Sequence, residues 1–356
     1  MQAHLVFKDG TTIEGMSFGY EAATAGEIAF STSMMGYLES LTDPSYKGQI
    51  LTLSYPLIGS YGVPKREFWE SSKIQVSGLI VSRYIDTPSH FQSTQSLGNW
   101  LKNEKIPALE IADTRFIVKK IRDEGAALVK IEFEEKIKFT DPNIQNLVAQ
   151  VSTKEVRIHE PLAHLGGVQR PKNVIVMIDC GVKENIIREL VRRNVKVIQV
   201  PWDYDFVEAG IKCDGVLVSN GPGDPKIADK TIKIVKKVLA LKIPLFGICL
   251  GNQILALASG GDTYKLRFGH RGQNQPCELV GTKKCYITTQ NHGFAIGKIP
   301  PGFKQWFING NDQTNEGIIH KTLPFMSVQF HPEAAPGPVD TMWIFDYFIK
   351  TLNSRL

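Results

Sequence analysis

Apolar and polar positions alternate in two different ways along the 356 residues. As far as about Gln150, short apolar runs are closed by Gly, Pro, Ser and Asp. AHLVFKDG at the start, then EIAFSTS, QILTLSYP and IQVSGLIVS, read as strands bounded by turns. A helix is predicted at SLGNWLKNEK. Another is predicted at DTRFIVKKIRDEG, capped by Asp113 or Thr114 and ended by Gly125. The first 150 residues are therefore expected to form a mixed α/β domain. From Val151 to Lys172 the period is lost in VSTKEVRIHEPLAHLGGVQRPK, which reads as a linker; its first residues could still belong to the domain before it.

From residue 173 the pattern changes to continuous apolar runs joined by amphipathic helices. NVIVMID, VKVIQVPW, CDGVLVSN and IPLFGIC are strands; KENIIRELVRRN and residues 228–241 are helices, the former with Ile186, Ile187, Leu190 and Val191 on one face. Strands apolar on both faces require helices on both faces, so residues 173–356 are expected to be a doubly wound α/β domain with a parallel sheet.

Composition narrows the class. Hydrophobic residues make up 42% and charged residues 22%, which suits a folded chain throughout. The net charge of +5 is spread along the chain without a basic block, so nucleic-acid binding is not indicated. No apolar run is long enough to cross a bilayer and no cleavable signal is evident, so the expected location is the cytoplasm, with no membrane partner. The five cysteines, Cys180, Cys213, Cys249, Cys277 and Cys285, are odd in number and none is paired at metal-ligand spacing. No metal site is expected.

One cysteine stands in a different context. IPLFGICLGNQILALASG is a buried strand that breaks at GICLG and passes directly into an apolar helix, the pattern of a nucleophile elbow with cysteine in place of serine. Gly247 and Gly251 suit a turn too tight for side chains. Cys249 then sits at a helix N-terminus, whose unpaired N–H groups favour negative charge. A buried structural cysteine is the commoner role for an isolated Cys, but it does not need such a turn. Acyl transfer also needs donors for a developing oxyanion. The N–H of Leu250 is one, and SNGPGDP (219–225), with Gly221 and Gly223, is a candidate for the second unless it is an ordinary Gly-Pro turn.

Near the C-terminus, PFMSVQFHPEAAPGP gives a strand ending at His331, with Pro332 fixing extended geometry and Glu333 two residues on, within reach of the imidazole. His292 in TTQNHGFAI is the main rival but has no nearby acid, and His270 lies in RFGHRGQNQP, a Gly-rich basic loop that reads better as part of the substrate rim. His4, His90, His159, His164 and His320 lack supporting context.

Taken together, GxCxG, HPE and an upstream GPGDP loop resemble a class I glutamine amidotransferase. The wider set DCGVKENIIREL, KLRFGHRGQNQP, TTQNHGFA, STSMMGYLESLTDPSYKGQILTLSYPLIGSYG and ADTRFIVKKIRDEG resembles the small-subunit family of carbamoyl phosphate synthetases over the whole chain. The resemblance implies a nucleophile at Cys249, a base at His331 and its partner at Glu333. It also implies glutamine contacts at Ser45, Gly221, Gly223, Leu250, Gln253, Asn291, Gly293 and Phe294; Ser45 could instead cap a turn after Asp43 and Pro44. Cys180, where an aromatic or aliphatic residue is more usual, and ADTR in place of IDTR depart from the family pattern. The implied partner is a large synthetase subunit, in a heterodimer or an oligomer of heterodimers, that uses ATP and Mg to make carbamoyl phosphate for pyrimidine and arginine synthesis. The first domain is then a docking module. No GxxxxGK[ST] loop is present, so no cofactor is expected in this chain itself. A glutaminase subunit of another synthase, such as anthranilate synthase, and a non-catalytic regulatory subunit are the alternatives.

Overall fold

The computed structural model describes residues 1–161 and 171–353. It divides into two compact units, Met1–Leu147 with Arg267–Gly272, and Val148–Leu266 with Gln273–Leu356. The middle of the segment read as a linker, residues 162–170, lies outside the described residues.

In the first unit seven strands close into a barrel. They are β1 (Gln2–Phe7), β2 (Thr12–Ser17), β3 (Thr24–Ser31), β4 (Gln49–Leu53), β5 (Gly78–Val81), β6 (Ala108–Glu110) and β7 (Leu128–Glu132), in the order β1-β2-β6-β5-β4-β3-β7. The run β3-β4-β5-β6 is parallel and the remaining pairs are antiparallel. Closure removes the exposed edges that such short strands would otherwise present. Leu5, Ile28, Ile50, Ile80, Leu109 and Val129 form one core with Ile117 and Ile121 of the helix Thr114–Glu124. Of the two candidate caps for that helix, Asp113 is used, accepting the Phe116 N–H at 2.9 Å, and Gly125 ends it at φ 102°. The opposite faces, with Leu51, Leu79 and Val81, pack against Leu97, Trp100 and Leu101 of the predicted helix Leu97–Asn103.

The second unit is built on a ten-stranded sheet. Its strands are β8 (Arg157–His159), β9 (Asn173–Asp179), β10 (Val195–Pro201), β11 (Gly215–Val218), β12 (Leu245–Ile248), β13 (Asp262–Leu279), β14 (Cys285–Lys298), β15 (Phe303–Asn309), β16 (Asn315–His320) and β17 (Phe325–Val328). The order is β14-β13-β15-β16-β17-β12-β11-β9-β10-β8, and the five strands from β17 to β10 are parallel. Side-chain alternation separates the two faces. Ile175, Met177 and Leu217 meet Ile186, Ile187 and Leu190 of the helix Glu184–Arg192, with Phe345 and Phe348 of the helix Trp343–Asn353. Val176, Ile178 and Val216 meet Ile234 and Val235 of the helix Asp229–Ala240, with Ile254 and Leu255 of the helix Leu250–Ala258. Each fully buried Ile, Leu or Phe contributes roughly 1.5–3 kcal/mol. The parallel, doubly covered sheet is as the apolar runs require.

Two expectations are corrected. β8, inside the segment read as a linker, pairs antiparallel with β10, because an extended stretch beside an exposed parallel edge satisfies its backbone there. RFGHRGQNQP is not a loop but lies within β13, and residues 267–272 of it pack with the first unit, where the Ala126 N–H donates to Arg267 O at 2.8 Å.

Candidate active site

Parallel strands deliver their C-terminal ends to one rim, and four of those ends carry the candidate chemistry. β12 and β17 are direct neighbours, with Ile248 opposite Val328. The chain leaves β12 at Cys249 and leaves β17 toward His331, which lies three residues past the strand and not at its end as expected. β11, on the other side of β12, leads into the SNGPGDP loop, and β9 leads into Cys180–Lys183.

Cys249 is buried and joins β12 to the helix Leu250–Ala258 with φ 54° and ψ −102°. For a residue with a Cβ this is a strained conformation, costing on the order of 1–3 kcal/mol. Its N–H donates to Val328 O at 2.9 Å, which continues the parallel ladder and holds the turn. The flanking glycines are sterically required. A Cβ on Gly247 would lie 2.4 Å from Gly251 O, and one on Gly251 would lie 2.2 Å from Val218 O. The Cys249 Sγ is 3.6 Å from Asn291 O.

His331 and Glu333 are both buried, and Nδ1 of the imidazole is 2.7 Å from Oε1 of Glu333. The His331 N–H donates to Thr289 O at 2.9 Å, which fixes the backbone behind the ring. Burial disfavours the charged imidazole, but the Glu333 carboxylate and then the Cys249 side chain outweigh it and raise the pKa to about 10. Burial likewise opposes the charge on Glu333, yet Lys183 and His331 together hold its pKa down to about 2. With Nδ1 engaged by the carboxylate, the buried Nε2 has no hydrogen-bond partner among the described residues.

The sequence pattern did not single out Lys183. Its buried Nζ donates to Glu333 Oε1 at 2.9 Å and to Ala334 O at 2.6 Å, so one carboxylate oxygen serves both a lysine and the imidazole. Asn185 Nδ2 adds a 2.5 Å bond to Glu333 O. The only signal in the sequence was DCGVKENIIREL, which marked the family without indicating a role for its lysine.

The remaining predicted contacts lie on several elements. Leu250 opens its helix, where first-turn N–H groups have no intrahelical acceptor. Gly221 lies against the elbow, since a Cβ there would meet Cys180 O at 2.2 Å and Leu250 Cδ2 at 2.8 Å. Gly223 takes φ 84° in the same loop. Gln253 is buried, its Nε2 donating to Phe294 O at 2.8 Å and to Gln329 Oε1 at 3.1 Å. Asn291, Gly293 and Phe294 lie close together on β14. Ser45 belongs to the first unit, in the short turn Pro44–Tyr46, where its N–H donates to Asp43 Oδ1 at 2.9 Å, so that Asp43, and not Ser45, supplies the capping side chain. His292, the rival base, has Nδ1 2.8 Å from Phe294 O and Nε2 3.1 Å from Gln290 Oε1, both ring nitrogens engaged in holding β14. His270 falls in the first unit, and His164 lies outside the described residues. Among the described residues no helix is long and apolar enough to cross a membrane.

Both domains match described families. Residues 176–351 match the family model of glutamine amidotransferase class-I, and residues 5–131 match that of the carbamoyl-phosphate synthase small chain, CPSase domain. The chain is 47% identical over 364 residues to the human protein named carbamoyl-phosphate synthase [ammonia], mitochondrial, covering 99% of this chain and 24% of that one. It is 48% identical over 372 residues to multifunctional protein pyr1-3 of Dictyostelium discoideum (98% and 17% covered). It is 44% identical over 387 residues to multifunctional protein URA2 of Saccharomyces cerevisiae (98% and 17% covered). The chain thus spans a quarter or less of the length of these relatives. The α/β sheet with its cysteine elbow is a class-I glutamine amidotransferase domain. With the barrel domain before it, the chain belongs to the carbamoyl-phosphate synthase small-chain family.

Proposed function

We propose that this chain hydrolyses L-glutamine and delivers the ammonia to a large synthetase partner, which uses ATP and Mg to convert bicarbonate to carbamoyl phosphate. The observation that carries the reading is the buried His331 imidazole, held by Glu333 through Nδ1 at 2.7 Å just past β17, whose neighbour β12 ends at the strained Cys249 elbow.

In this reading the Cys249 thiolate attacks the side-chain amide carbon of glutamine, and the developing oxyanion is met by the Leu250 N–H and the loop at Gly221 and Gly223. The charged His331 gives its proton to the leaving nitrogen, so that ammonia departs and a γ-glutamyl thioester remains. Water, deprotonated by the now neutral imidazole, attacks the thioester, releases glutamate and restores the sulfur. Gln253, Asn291, Gly293 and Phe294, with Ser45, are proposed to hold the substrate. Ammonium lacks the lone pair needed for attack, so the product is useful only through a protected path to the partner. The barrel domain is proposed as the docking module. The cytoplasm is the proposed location, and fractionation with mitochondria would overturn it.

One observation favours a second reading. The name of the human relative specifies ammonia as its nitrogen source, as suits a domain that has kept its fold without hydrolysing glutamine. Labelling by an electrophilic glutamine analogue separates the two. Stoichiometric modification at Cys249 supports the glutaminase, whereas an inert chain overturns it. A pull-down that returns a different synthase, such as anthranilate synthase, would reassign the partner.

A further inference from the structure

The segment joining β9 to the helix Glu184–Arg192 is held in an unusual way. Four consecutive backbone N–H groups each donate to a side chain. Cys180 N–H donates to Ser219 Oγ at 2.9 Å, Gly181 and Val182 both to Asp179 Oδ1 at 2.8 Å, and Lys183 to Asn220 Oδ1 at 3.0 Å. The second oxygen of Asp179 faces the other way, accepting the Thr153 N–H and Gln199 Nε2, each at 2.8 Å. Gln199 in turn lies 2.9 Å from His159 Nε2 on β8. Asp179 is 3% exposed, so all four donors to its carboxylate are drawn from the protein interior.

A helix start needs no such arrangement, since water or a single cap can satisfy its first turn. The turn ends at Lys183, whose ammonium must arrive at Glu333 Oε1 with a precision of a few tenths of an ångström to share that oxygen with the imidazole. We infer that Asp179 is a positioning residue of the glutaminase. By fixing residues 180–183 it presents Lys183 to Glu333, and its second oxygen ties that placement directly to Thr153 and, through Gln199, to the edge strand β8. The inference rests on the glutaminase reading above. Asp179 touches no reacting atom, so its effect passes entirely through Lys183.

The test is a double-mutant cycle on the full chain assembled with its synthase partner, using Asp179→Ala, Lys183→Met and the double variant, with thermal melting to confirm folding. Asp179→Ala is expected to lower kcat for glutamine roughly tenfold to a hundredfold, as a misplacement of about 1 Å does, with KM little changed. In the Lys183→Met background it should cost almost nothing more. Asp179→Asn keeps an acceptor for Gly181 and Val182 but turns its amide NH2 toward the Thr153 and Gln199 donors, so it should recover the kcat only in part. If Asp179→Ala does not fold, Asp179→Ser, whose single short oxygen cannot serve both pairs of donors, takes its place in the cycle. Additive losses, or an unchanged kcat in folded Asp179→Ala, would overturn the inference alone. Absence of Cys249-dependent turnover in the unsubstituted chain would overturn it together with the glutaminase reading.

Discussion

The Lys183 ammonium lies 2.9 Å from Oε1 of Glu333, both groups almost without solvent access. A buried ion pair of this kind gives little net stability, because desolvating both partners consumes most of the attraction. Its value lies in fixing the charge state of Glu333. A carboxylate buried with only a neutral imidazole would tend to protonate, and a protonated Glu333 would no longer favour the imidazolium form of His331.

Replacing Lys183 with Met should therefore impair turnover more than binding. We expect kcat to fall about tenfold or more, and the acid limb of its pH profile to move upward as the Glu333 pKa rises from its depressed value. Steady-state glutaminase assays across pH check this; an unmoved acid limb would show that Lys183 does not govern the carboxylate.

Cys249→Ser should abolish glutamine-dependent synthesis by the assembled enzyme, lowering glutaminase kcat on the order of a thousandfold or more. Ammonia-dependent synthesis should survive, since the ATP chemistry is assigned to the partner. Loss of both activities would contradict that division.

The elbow tolerates no added methyl group. In Gly251→Ala the new Cβ would press on the Val218 carbonyl, which belongs to a central strand and cannot give way. A loss of about 1–3 kcal/mol or more is expected by denaturant unfolding, and glutaminase activity should fall with the displaced nucleophile. Full stability in this variant would mean that the turn is looser than its contacts imply.

The His331–Glu333 pair should also appear in the dependence of stability on pH. His331, raised from 6.5 to about 10, adds stability that is complete below about pH 6.5 and is lost as pH rises toward 10. Glu333, lowered from 4.5 to about 2, adds stability that is present above about pH 4.5 and is lost as pH falls toward 2. Melting temperature should thus decline between pH 6.5 and 10 by the equivalent of about a kcal/mol or more, and His331→Asn should flatten that decline. An identical slope in the variant would remove the imidazole as its cause.

Much of the second domain is legible in the sequence. Runs such as NVIVMID and CDGVLVSN are apolar on both faces, which only a covered parallel sheet accommodates, and β9 and β11 lie where those runs fall. The barrel was not readable as a barrel. β2, TIEGMS, alternates weakly, and β6 is three residues long; such strands exist because their neighbours complete the ring. The antiparallel strands β13 to β16 were missed for a related reason, since RFGHRGQNQP has the composition of a loop and becomes a strand through its pairing partners.

At the site, the sequence alone determined which groups could react. A cysteine between two glycines at a strand-to-helix break, and a histidine with an acid two residues on, carry their chemistry in local spacing. Whether they would meet depended on β12 and β17 being neighbours, a pairing between segments some eighty residues apart. The tertiary structure also brought in Lys183, 150 positions from Glu333, and set Asp179 behind it. No local pattern announces a lysine whose partner lies on another strand, because burial and charge pairing arise only once the sheet has assembled.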